Sequence, residues 1–95
     1  MVDADLDKSE LILVRLVEAM ELPSDRGLQT VTEVLELARN SGLRSRNIEE
    51  AQSSAFLAIA TVKRCLERDG ICPTEYWDDA IRLTRMWRTL LTPSQ

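Results

Sequence analysis

The sequence predicts an all-α protein, a compact helical bundle of about four helices with one long central helix. Three observations predict it. Only three glycines and three prolines occur in 95 residues, and they fall at the ends of apolar-periodic segments. Those segments repeat their apolar residues every three or four positions, the helical period. Their starts and stops carry capping residues. So few turn residues argue against a many-turned β architecture. A chain of 95 residues makes one domain, 1–95, with the ends at about 1–6 and 92–95 expected to be flexible.

The first helix is expected to start at an Asp7/Glu10 capping box. Its body places Leu13, Leu16, Val17 and Met20 on one face, with Leu11, Ile12 and Val14 on others. This apolar arc is wider than a surface helix needs. Either the helix is central or it also forms a contact with another molecule. Pro23 ends it.

The second helix is expected to start at the Thr30/Glu33 capping box, after a PSDRG loop. It presents Val31, Val34, Leu35 and Ala38 on one face, and Gly42 stops it with Leu43 folding back. The third starts near Ser45 or Asn47 and runs to Asp69, which makes it about 23 residues and roughly 35 Å long. Its core face is Ile48, Ala51, Ala55, Ile59, Val62 and Leu66. Gly70 terminates it, with Ile71 expected to return onto Leu66. The fourth helix follows Pro73, with Thr74 as its N-cap. The spacing of Tyr76, Ala80, Leu83, Trp87 and Leu90 predicts its packing seam. Short connections make neighbouring helices antiparallel.

Composition narrows function mainly by exclusion. The chain has no histidine, which removes His-dependent triads and His-containing zinc sites. Two cysteines, Cys65 and Cys72, do not form a CxxC pair and are too few for a structural zinc site. There is no glycine-rich phosphate loop. The adjacent carboxylates Glu49/Glu50 and Asp78/Asp79 diverge by about 100° on a helix, which suits a solvated face better than acid–base chemistry. No catalytic activity, cofactor or metal is expected. The longest unbroken apolar run, Leu11–Val14, cannot span a membrane. The acidic start lacks the basic region of a signal peptide. A cytoplasmic protein with reduced thiols is therefore expected.

Net charge is −4, unevenly distributed. Residues 1–22 carry six acids against two bases, while residues 23–47 carry three acids against four bases. Two readings follow. The first is a small regulatory or adaptor protein that works by protein–protein contact, with a homodimer as one form. Leu11 and Val14 on the acidic first helix and Trp77, Arg82, Arg85 and Arg88 on the fourth are its expected contact residues. Exposed Trp with Arg is the composition of a binding hot spot, and Asp78 is placed to pair with Arg82.

The alternative is a helix-turn-helix DNA-binding regulator built on Gln29 to Ala51. Ala38, Gly42 and Ile48 occupy the packing and turn positions of such a motif, and Arg44, Ser45, Arg46, Asn47 and Gln52 would face the nucleic acid. Glu49, Glu50, the overall negative charge and the long third helix oppose it.

Overall fold

A computed structural model describes residues 4–39 and 45–92. It contains four helices: α1 (Ala4–Met20), α2 (Ser24–Arg39), α3 (Arg46–Asp69) and α4 (Thr74–Leu91). The all-α bundle expected from the sequence is the observed fold, and α3, at 24 residues, is its longest element. Each helix packs on two neighbours in a closed ring, α1 on α2, α2 on α3, α3 on α4 and α4 on α1. The body measures 41 × 21 × 21 Å, so the helices lie along one long axis. Contacts across the ring bring the end of one helix to the start of its neighbour: the Ala19 carbonyl lies beside Gly27, the Ala38 carbonyl accepts from Gln52, and Glu10 pairs with Arg88.

One core runs through all four helices. Ile12, Leu16, Val31, Val34, Ile59, Val62 and Trp87 are fully buried in it. Burial of each such aliphatic side chain contributes about 1.5–3 kcal/mol. The face expected on α2 is the buried one. On α3, Ala55, Ile59, Val62 and Leu66 are buried, while Ile48 and Ala51 are half-buried.

The helix starts differ from expectation for local reasons. α1 begins at Ala4, so Asp7 lies inside its first turns, and residues 4–6, expected among the flexible ends, are helical with Asp5 buried. α2 begins at Ser24, inside the expected PSDRG loop. Pro23 supplies the carbonyl that accepts the first helical bond, from Gly27 N–H at 2.8 Å. Thr30 is therefore an interior residue. Gly27 is helical and buried because α1 comes close: a Cβ there would stand 3.3 Å from the Ala19 carbonyl oxygen. Gly42, Leu43 and Arg44 lie outside the described residues.

α3 ends as expected at Gly70, which is left-handed (φ 71°) and donates its N–H to the Leu66 carbonyl at 3.0 Å. Ile71 does not return to the core; it is 70% exposed, and Cys72 tucks in instead. Both cysteines are buried free thiols. The Cys72 thiol donates to the Pro73 carbonyl at 3.6 Å and is pushed up to about 12 by burial and by the adjacent Cys65 thiol.

The stripes on α1 and α4 are rotated from the expected ones. α4 buries Trp77, Ala80, Thr84, Trp87 and Leu91, not Tyr76, Leu83 and Leu90. α1 buries Asp5, Ser9, Ile12, Leu16 and Ala19, leaving Val17 half exposed. In each case a hydroxyl residue sits in the true stripe. Thr84 Oγ1 donates to the Ala80 carbonyl at 2.8 Å and Ser9 Oγ to the Leu6 carbonyl at 2.7 Å. A hydroxyl bonded back onto its own helix can be buried without an unsatisfied donor.

Candidate functional site

The expected contact residues separate into two groups. Leu11 and Val14 are exposed on α1, at 42% and 54%. Trp77 is not a surface residue: it is 6% exposed and packs in the core, because the buried stripe of α4 passes through its position rather than through Tyr76. Arg82 and Arg85 are exposed on α4, and Arg88 is partly covered where α4 meets α1.

Ion pairs differ in detail from expectation. Arg82 pairs with Asp79 at 3.3 Å, not with Asp78. Arg88 Nε reaches Glu10 Oε1 at 3.4 Å and bridges α4 to α1. Arg85 carries no ion pair among the described residues. All these charges are substantially solvated, so each pair contributes at most about 1 kcal/mol.

Spacing organises the exposed residues into strips. Glu10, Val14, Val17 and Glu21 recur every four, three and four residues, which aligns them along one side of α1. Asp78, Arg82, Arg85 and Thr89 repeat the same spacing on α4, and all eight are exposed. The Arg88–Glu10 bridge ties α4 to the first residue of the α1 strip. Further exposed apolar side chains were missed in the sequence: Leu57 on α3, and Met86 and Leu90 on α4. Met86 and Leu90 line a shallow depression with Arg82, Arg85 and Thr89. Leu57 lines a groove between α3 and α4 with Tyr76 and Leu83. Leu90 and Val17 were hidden because the expected seams claimed them for the interior; the shared spacing of the two strips could have revealed Val17.

Of the residues of the nucleic-acid reading, three stay together at the surface and one turns inward; Arg44 lies outside the described residues. Ser45, Arg46 and Asn47 are exposed at the start of α3, and Arg46 pairs with Glu50 at 3.1 Å. Gln52 is buried rather than turned outward. Its Nε2 donates to the Ala38 carbonyl at 2.7 Å. That carbonyl belongs to the last turn of α2, where carbonyls lack helical partners, so Gln52 closes the end of the neighbouring helix. Arg39 pairs with Glu36 at 3.5 Å and lies 5.9 Å from the Phe56 ring, on the α2–α3 side.

Among the described residues no cluster of three or more potential metal ligands occurs, and no helix is long and apolar enough to cross a membrane. No protein-family model, curated protein or solved structure matches the chain.

Proposed function

We propose that this protein is a non-enzymatic regulator or adaptor that acts by protein–protein contact, with the outer side of α1 as its principal surface. One observation carries the reading. Leu11, Val14 and Val17 stand exposed on successive turns, framed by the carboxylates of Glu10, Glu18 and Glu21. Aliphatic side chains repeated along one solvent-facing helix side, with a charged rim, make a contact surface. The acidic rim selects a basic partner and speeds encounter with it. The sequence lacks histidine, and the adjacent carboxylates Glu49/Glu50 and Asp78/Asp79 are all exposed, which favours binding over catalysis. The buried, unlinked thiols of Cys65 and Cys72 suit a reducing cytoplasm.

The test is a pull-down with the wild-type chain and with a Leu11→Asp/Val14→Asp variant. Both positions are exposed, so the variant keeps its fold, checked by circular dichroism. Loss of a specific partner supports the reading; an unchanged set of bound proteins sinks it.

The DNA-binding alternative rests on the exposed Ser45, Arg46 and Asn47 at the start of α3. It predicts retention on duplex DNA at low salt that falls steeply as salt rises and weakens in Arg46→Ala. Absence of retention at low salt removes it.

A further inference from the structure

We infer that the outer side of α1 docks a basic amphipathic helix of another protein, laid along α1 with its aliphatic stripe on Leu11, Val14 and Val17. The inference rests on the contact reading above and names its partner.

The three aliphatic residues are three positions apart, so they form one oblique ridge of the helix surface. All three are exposed. The neighbouring ridge on one side holds Asp7 and Glu10, and the one on the other side holds Glu18 and Glu21. At about 100° per residue these positions share an arc of about 120°, and no lysine or arginine of α1 falls within it. Glu10 is held by Arg88 at 3.4 Å, but Asp7, Glu18 and Glu21 carry no ion pair among the described residues. Arg15 borders the arc and is tied to Glu33 at 3.8 Å. The face is thus aliphatic along its middle and anionic on both sides.

The placement of two of these acids points outside the chain. The C-terminal end of a helix favours cations, yet α1 has no basic residue in its last turn. Glu18 and Glu21 lie at that end and oppose the dipole, so the stability of the free chain does not account for them. Cations supplied by a partner offset them. A helix is the occupant that fits, because a three-residue ridge seats between the four-residue ridges of a second helix, at a crossing of about 20°. Lysines or arginines flanking that helix's own aliphatic stripe then meet acidic rows on both sides. Leu11 widens the seat, since it lines a depression with Val34 and Leu37 of α2. The same signs oppose other occupants. A second copy turned face to face sets carboxylates on carboxylates, and an anionic membrane or nucleic acid is repelled.

The probe is a fluorescein-labelled synthetic helix of roughly 18 residues, about 27 Å long, with leucines at three- and four-residue spacing and lysines on both flanks. Its counterpart carries glutamates in place of the lysines. Fluorescence anisotropy on the full chain at about 0.1 M salt reads the binding. The lysine peptide is expected to bind with a Kd of roughly 1–100 μM, and the glutamate peptide not to bind. Glu18→Lys/Glu21→Lys and Val14→Ser/Val17→Ser, each with wild-type circular dichroism, are expected to bind it at least about tenfold more weakly. Glu49→Lys/Asp78→Lys reverses two exposed acids elsewhere and so has the same net charge as the first variant; it is expected to stay within about threefold of the wild type.

No binding of the lysine peptide up to about 500 μM overturns the inference. So does equal binding of the two peptides, equal weakening by Glu49→Lys/Asp78→Lys, or wild-type affinity in either α1 variant. Light scattering that finds a wild-type dimer, lost in Val14→Ser/Val17→Ser, gives the face to a second copy and also overturns it. The contact reading falls by a separate result, an unchanged set of partners for Leu11→Asp/Val14→Asp. Partners lost there with no peptide binding here remove the basic helix alone, so the two failures are distinguishable.

Discussion

Gln52 joins two helices through a single hydrogen bond. Its amide satisfies the Ala38 carbonyl in a buried setting, where an unmet acceptor costs about 1–3 kcal/mol. Gln52→Ala is expected to lower stability by that amount, read as a lower urea midpoint with an unchanged slope. Gly70 is the one described residue with positive φ, and a Cβ there meets nothing within 4 Å. The cost of Gly70→Ala is thus conformational, about 1–2 kcal/mol, and measurable in the same way. Cys72 links stability to pH. Its thiol, with an ordinary value of 9.0, is raised to about 12 in the fold, so the native state holds the proton longer than the unfolded chain. Below pH 9 both states are protonated and the contribution is complete; it is lost as pH rises from 9 toward 12. Chemical denaturation across that range should show the decline, and Cys72→Ala should flatten it.

At the scale of the element, each helix has its own balance of burial and exposure. Ile59 is fully buried in α3, whereas Leu57 on the same helix is 64% exposed. Ile59→Ala is expected to cost about 2–5 kcal/mol, because it removes buried apolar volume and leaves a cavity. Leu57→Ala is expected to fall within about 0.5 kcal/mol of neutral. Parallel urea titrations separate the two. α4 departs furthest from a simple apolar stripe. Thr84 occupies a fully buried position with its hydroxyl bonded to Ala80, and Trp87 is fully buried with no described partner for its indole N–H. The surface that helix leaves free carries Arg82, Arg85 and Met86.

For the whole molecule, the closed ring makes the four helices one cooperative unit. Several helix ends are secured by a neighbour or by a tight turn: Gln52 meets the last turn of α2, and the Glu21 and Leu22 N–H groups bond back to Glu18 and Ala19. Both tryptophans lie in α4 and are buried, at 6% and 0% exposure. Their emission should be blue-shifted in the native state, and the red shift on heating should coincide with the loss of helical circular dichroism. Separate transitions would show that α4 leaves the bundle before the rest unfolds.

The all-α class, the number of helices, the length of α3, the Gly70 stop and the buried face of α2 were legible in the order of residues. These depend on local chemistry: the helical period, the conformational freedom of glycine and the position of proline. Which side of α1 and of α4 faces inward was decided only by tertiary packing. Ser9, Gln52 and Thr84 look like surface residues because they are polar, yet each is buried with its hydrogen bond met inside the protein. Once they are counted as interior, the α1 and α4 stripes turn, Trp77 moves inside, and Val17, Met86 and Leu90 come out. The sequence by itself determined that four helices form and that the α1 apolar arc is wider than a surface helix needs. The tertiary structure decided which residues make up that excess, because the side of a helix that is buried is set by the neighbours it packs against, while the local bonds of Ser9 and Thr84 can form on any side of a helix.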